Sequence, residues 1–221
     1  MRQRKVKNLE ERMNSHKRFF VADAQELKGK WRSAFENENG LYLEIGSGKG
    51  NFLIKQALAH KDRNFIGIEG QLSVVFRALQ KIEQAELCNM RFASGFVYAP
   101  CELFAESEVS GIYLNFSDPW PKKGHSHRRL THRNYLKQYH NILKPGGVVE
   151  IKTDNAALFE FTLEEIKETG LFDVLAATTD LHGSGFEAAK ITSEYEEKFM
   201  ASGLAIRYAR LARIAPKYLT K

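Results

Sequence analysis

LYLEIGSGKG, residues 41–50, changes character at its centre. Residues 41–45 are an apolar run of strand type, and residues 46–50 hold three glycines in five positions. Glycine lets the backbone turn sharply and lets a ligand approach without a Cβ in the way. A helical pattern follows over residues 51–60, with Phe52, Leu53, Ala57 and Leu58 expected on its buried side. Strand, glycine loop and helix make the first half of a βαβ unit. Amide groups at the helix start can meet an anionic group such as a carboxylate. The dinucleotide fingerprint G-x-G-x-x-G is not met, because Asn51 stands where its third glycine belongs. No Gly-Lys-Ser/Thr ending for a nucleoside-triphosphate loop is present either.

The same grammar continues downstream. Strands are expected at residues 65–68, 90–93, 112–114, 148–151, 172–177 and 204–212, and helices at 72–86, 131–143 and 156–169. Lys144-Pro145-Gly146-Gly147 reads as a tight stop before the strand at 148. Upstream, residues 25–35 are expected to form a short amphipathic helix carrying Leu27, Trp31 and Phe35. Strands alternating with helices imply an α/β fold whose mostly parallel sheet is covered on both faces. The last two strands lack a crossover helix of usual form, which points to an antiparallel terminal strand.

Composition sets outer limits. The chain has 221 residues, 43% of them hydrophobic, and a formal net charge of +6. That length suits one substantial core, and the charge suits an anionic partner. Residues 1–20 are rich in Arg and Lys and are expected to be a basic, flexible arm, leaving residues 21–221 as a single domain. Cys88 and Cys101 form no CxxC pair, so a zinc cluster and a disulfide framework are both disfavoured. No apolar run approaches the ~20 residues of a membrane span. A reducing, cytoplasmic setting is expected, with no membrane partner.

Two further stretches carry chemistry. Glu69 closes the second strand, where an acid can accept hydrogen bonds from both hydroxyls of a ribose, so a nucleoside ligand is expected. Glu44 is an acid in apolar surroundings, which is costly without hydrogen-bond partners. GIYLNFSDPWPKKGHSHRR, residues 111–129, is a buried strand followed by a proline-stiffened loop. It places Asp118 at the carboxyl end of the strand, where open parallel sheets bind ligands. Lys122, Lys123, His125, Arg128 and Arg129 follow at once, a polycationic segment suited to a phosphate backbone. His125, His127 and His132 have no nearby acid or cysteine to complete a metal set, so no metal is expected. Asp154 reads either as a ligand contact or as the cap of the helix at 156. Ser193-x-x-Glu196 has the form of a capping box.

Taken together, LEIGSGKG, FIGIE, NFSDPWPKK, RRL, KTDN and SEYEEKF occur in one order. The series resembles the bacterial tRNA (guanine-N7-)-methyltransferase family over roughly residues 40–212. The resemblance implies a Rossmann-like methyltransferase fold with a seven-stranded sheet. It implies S-adenosyl-L-methionine as donor and a guanine of the tRNA variable loop, position 46 in standard tRNA numbering, as acceptor. It implies Asp118 as the catalytic residue, also near the cofactor, with Glu44, Gly46, Gly48 and Glu69 on the cofactor. It implies Lys122, Asp154, Ser193, Glu194, Tyr195 and Glu196 on the substrate. Phe96 stands where the family usually has Asn or Asp toward the adenine, so the ring is expected to be covered by Phe96 stacking or contacted by backbone amides alone. Gly124 and His127 replace basic residues common in the cationic loop, and Ser193 replaces a Thr. Rival readings are a small-molecule methyltransferase and a non-catalytic RNA-binding relative. The oligomeric state is expected to be monomer or homodimer.

Overall fold

The computed structural model describes residues 8–95 and 99–215. A short helix, Leu9–Asn14 (α1), leads to a two-residue strand, Phe20–Val21 (β1). After a 3₁₀ turn at Trp31–Ala34 come β2 (Gly40–Ile45), α2 (Asn51–Ala59), β3 (Arg63–Glu69), α3 (Leu72–Gln84), β4 (Met90–Ser94) and α4 (Pro100–Leu103). Then follow β5 (Val109–Asn115), a 3₁₀ turn at Lys123–Arg128, α5 (Arg133–Ile142), β6 (Leu143–Thr153), α6 (Ala156–Thr169) and β7 (Phe172–Thr178). A 3₁₀ turn at Glu187–Ala189, α7 (Glu194–Ala201) and β8 (Arg207–Arg213) complete the chain.

The strands form one eight-stranded sheet in the order β1-β4-β3-β2-β5-β6-β8-β7. Pairings among β1 to β6 are parallel, and β8 runs antiparallel between β6 and β7. From β2 the chain winds outward to β3 and β4, then returns to add β5 and β6 on the other side. That reversal opens a crevice beyond the carboxyl ends of β2 and β5, where α/β sheets bind ligands.

Successive strand residues point to opposite faces, and here each face has its own core. Leu41, Leu43, Ile66 and Ile112 pack with Leu136 and Tyr139 of α5 and Phe159 of α6. Phe65, Phe92 and Tyr113 pack with Phe52 and Leu53 of α2, Phe76 and Leu79 of α3, and Met13 of α1. Phe92 explains two glycines. A Cβ at Gly50 would meet its ring at 2.9 Å and one at Gly67 at 2.5 Å. Clearing that space lets the start of α2, and the loop before it, lie close on the sheet.

Several expectations change in detail. The sheet has eight strands rather than seven because Phe20–Val21 adds beside β4. Two residues give no readable alternation, and the pairing is made by backbone groups, such as the Phe92 amide donating to the Phe19 carbonyl (2.8 Å). Of the basic segment expected to be a flexible arm, residues 1–7 lie outside the described residues, and within the rest Met13, His16 and Phe19 are buried. The helix expected at 25–35 is reduced to one turn. Gly29 takes a left-handed φ of 76°, and the amides of Gly29 and Trp31 donate to the Glu108 carboxylate instead of helical carbonyls. Lys144 to Gly147 lies inside β6, which starts at Leu143, and α5 stops at Ile142. Leu58 is exposed on α2, and Gln56 takes the buried position, because the stripe runs 52, 53, 56, 57.

Candidate active site

Gly46, Gly48 and Gly50 all have left-handed φ, at 77°, 54° and 73°. The amides of Gly46 and Ser47 donate to the Ile68 carbonyl (2.9 and 3.1 Å), so the loop after β2 is tied to the end of β3. A Cβ at Gly46 or Gly48 would meet nothing within 4 Å, so their bare backbone faces open space. Glu69 reaches the same loop. One oxygen accepts from the Gly48 amide (3.0 Å) and the other from the Gln71 amide (3.0 Å). Each carboxylate oxygen keeps a lone pair for a second donor.

Glu44 lies on β2 just before the loop and is only 3% exposed. One of its oxygens accepts from the Asn115 amide nitrogen at 2.7 Å. The other is buried with no hydrogen-bond partner among the described residues. Burial pushes the carboxyl up to about 8, against the opposing effects of Asn115 and Lys152. An unsatisfied buried oxygen lining a cleft is suited to a cationic or hydrogen-bonding ligand group.

The exit of β5 forms the opposite wall. Phe116 and Trp120 both have left-handed φ, 52° and 40°. The Phe116 ring stacks on Phe199 (5.6 Å) and Tyr195 (6.4 Å). Asp118 is exposed on the rim between them. Trp120 is flanked by the Arg128 guanidinium (4.9 Å) and the His125 ring (5.9 Å). Lys122, Lys123 and Arg128 project to solvent along the 3₁₀ turn.

The third wall comes from α7. Ser193 caps it in a capping box with Glu196. Glu196 is completely buried and does not face the cleft. Its oxygens accept from Lys152 Nζ (3.1 and 3.0 Å) and from the Ser193 amide, and His182 Nε2 lies 3.0 Å away. Lys152 also donates to the carbonyls of Ala188 (2.7 Å) and Ile191 (2.9 Å). Burial pulls this ammonium below the usual lysine range, and Glu196 opposes the pull. Glu196, expected on the substrate, is thus placed in an internal ion pair and not on the cleft surface. Lys152→Met should cost roughly 3–5 kcal/mol in chemical denaturation, because it strands a buried carboxylate. Lys152→Met with Glu196→Gln should recover much of that loss; a double variant no more stable than the single would refute the pairing.

Ser193, Glu194, Tyr195, Glu44, Glu69 and Asp118 thus line one cleft of about 1010 Å³, with the glycine loop as its floor. Glu194 is tied across it to Asn51, Lys49 (3.9 Å) and Lys81 (3.7 Å), so α7 is moored to α2 and α3. Asp154 lies outside that lining and is half-buried. The cap of α6 is Asn155, not Asp154, and accepts from the Leu158 amide (2.8 Å). Phe96 lies outside the described residues. Among the described residues, no group of three or more His, Cys, Asp or Glu is placed to hold a metal, and no helix is long and apolar enough to cross a membrane. Asn115, Lys152 and His182 were not legible as site-building residues. Their partners stand 71, 44 and 14 positions away, and no local pattern links them.

A mostly parallel sheet with one inserted antiparallel strand, a glycine loop after β2 and an acid closing β3 define a Rossmann-like methyltransferase fold. Solved structures agree. The chain superimposes on an antibiotic-related methyltransferase with TM-score 0.62 and 19% identity, covering 88% of this chain and 96% of that one. It superimposes on the 16S rRNA methyltransferase KamB with TM-score 0.63 and 11% identity, covering 85% and 94%. A family model described as "Putative methyltransferase" matches residues 38–209. The tRNA (guanine-N(7)-)-methyltransferase of Bacillus licheniformis is 43% identical over 87% of this chain and 89% of its own length. That of Enterococcus faecalis is 41% identical over the full length of both. That of Limosilactobacillus reuteri is 44% identical over 87% of this chain and 90% of its own. The chain belongs to the tRNA (guanine-N(7)-)-methyltransferase family.

Proposed function

We propose that this protein is an enzyme that transfers a methyl group from S-adenosyl-L-methionine to N7 of a guanine in tRNA, the guanine at position 46 of the variable loop. The observation that carries this reading is the meeting, in one cleft, of the bare glycine loop with an unsatisfied buried acid on one wall and Asp118 beside a cationic turn on the other. The donor fits the residues present: Glu44 has an oxygen in need of a donor, and Gly46 and Gly48 leave room where a Cβ would stand. Glu44 and the glycine loop would hold the amino-acid end and Glu69 the ribose hydroxyls; Phe96 is assigned to the adenine. When bound, the sulfonium supplies an activated methyl group.

Guanine N7 carries an in-plane lone pair, so no base is needed to generate a nucleophile. The protein's task is positioning and charge. Positive charge moves toward the purine during transfer, and the Asp118 carboxylate, fixed on the rim, stabilises it. Asp118 accepts from N1–H and the exocyclic amino group, a donor pair adenine lacks; Asp154, which stands beyond the cleft lining, meets the tRNA outside the base pocket. Ser193, Glu194 and Tyr195 form the wall against which the base rests, and Lys122, Lys123, His125 and Arg128 meet the phosphate backbone. Such an enzyme works in the cytoplasm, as monomer or homodimer.

The test is incubation with labelled S-adenosyl-L-methionine and unmodified tRNA, beside a transcript with adenine at the variable-loop position. Label at N7 is expected with the first and none with the second. Cofactor binding without transfer to any tRNA would overturn the acceptor assignment.

A further inference from the structure

We propose that Arg129 is a positioning residue, which brackets the backbone of Pro119 and Trp120 against α6 and so sets where Asp118 stands, rather than a tRNA phosphate contact. The inference rests on the reading of Asp118 as the catalytic residue. By sequence Arg129 is one more member of a basic run. In the structure it turns the other way. Its Nε donates to the Pro119 carbonyl (2.9 Å) and its Nη2 to the Trp120 carbonyl (3.2 Å). The guanidinium lies 4.3 Å from the centre of the Phe161 ring on α6. Its backbone is fixed as well: the Arg129 amide donates to the Ser126 carbonyl (3.0 Å), and the His132 amide to the Arg129 carbonyl (2.9 Å). Arg128 and Lys123 are exposed, and their side chains make no hydrogen bond to the protein among the described residues.

The loop needs such a bracket. Phe116 and Trp120 hold left-handed backbone, uncommon for residues with a side chain, on either side of Asp118. The Phe116 end is anchored by its amide, which donates to the Lys152 carbonyl (2.8 Å), and by its ring stack. Asp118 itself makes no side-chain hydrogen bond among the described residues, so its place follows from the two ends. Pro119 and Pro121 carry no N–H, which makes carbonyls the main handles on the far end. A planar fork spans two successive carbonyls and stacks on an aromatic face together; an ammonium does not.

Arg129→Lys, Arg129→Ala and Phe161→Leu separate the two roles, with Lys123→Ala as the phosphate-contact comparison. In single turnover at saturating tRNA, both Arg129 variants should lose about 10–100-fold in methyl transfer, and Phe161→Leu an intermediate amount. The slope of log Kd for tRNA against log salt should stay at the wild-type value in both, while Lys123→Ala lowers it by about 0.7–0.9. Acrylamide quenching of tryptophan fluorescence reads the loop directly, because the other tryptophan, Trp31, is fully buried. Quenching should rise in both Arg129 variants. A fully active Arg129→Lys, or an Arg129→Ala with a reduced salt slope and unchanged quenching, overturns the bracket. If the wild type methylates no tRNA, the functional reading fails on its own; the quenching result then still decides for or against the bracket.

Discussion

Asp118→Asn should slow methyl transfer by about 10²–10³-fold in single turnover, with tRNA affinity changed far less. The side chain keeps its size and one acceptor oxygen, so the loss isolates the charge. The carboxylate stands on the rim of the cleft, on a loop held at both ends, facing the floor that receives the donor. An interaction that grows as the purine becomes positive lowers the barrier; one equal in ground and transition states does not. Rapid-quench measurement of label transfer, with tRNA binding measured separately, divides the two. An Asp118→Asn enzyme that weakens tRNA binding and transfers at the normal rate would show that the carboxylate serves recognition alone.

Glu44 carries the second large effect. Its carboxyl is pushed up to about 8 by burial, so in the unliganded protein it is mostly protonated at pH 7. An ammonium group of the donor placed at its unsatisfied oxygen favours the ionised form. Binding at pH 7 should therefore release about one proton, seen as a calorimetric enthalpy that depends on the buffer. Affinity should rise with pH from about 6 to about 8, then turn over as the donor's own amino group, near 7.7–8.0, loses its charge. Glu44→Gln should bind the donor about 10–100-fold more weakly at pH 8, with a flattened pH profile and no proton release. Stability without ligand runs the opposite way. Because the folded pKa is raised, the contribution of Glu44 is fully present below its unfolded value and is lost as pH rises toward 8. The melting temperature of the wild type should fall relative to Glu44→Gln over that range. A buffer-independent binding enthalpy would count against proton release from Glu44.

Local signals read well where function is built on local chemistry. The strand and glycine loop at 41–50, the acid closing β3 and the Asp118 loop each depend on residues a few positions apart. The capping box at Ser193 and Glu196 was equally visible, because its two hydrogen bonds span three residues. Its depth was not. Glu196, on α7, reads as a substrate acid until Lys152 of β6 is seen to pair with it. Arg129 reads as one of a basic run until Phe161 and two loop carbonyls claim it.

By itself, the sequence determined the alternation of strands and helices, the place of the glycine loop and the order of the motifs, all properties of periodicity and backbone freedom within short windows. Tertiary structure alone decided the edge strand at Phe20–Val21, the mooring of α7 over α2 and α3, and which charged groups face the cleft. A charged side chain is written the same way whether it meets water, phosphate or a buried partner. The environment that fixes its role is assembled from segments far apart in the chain.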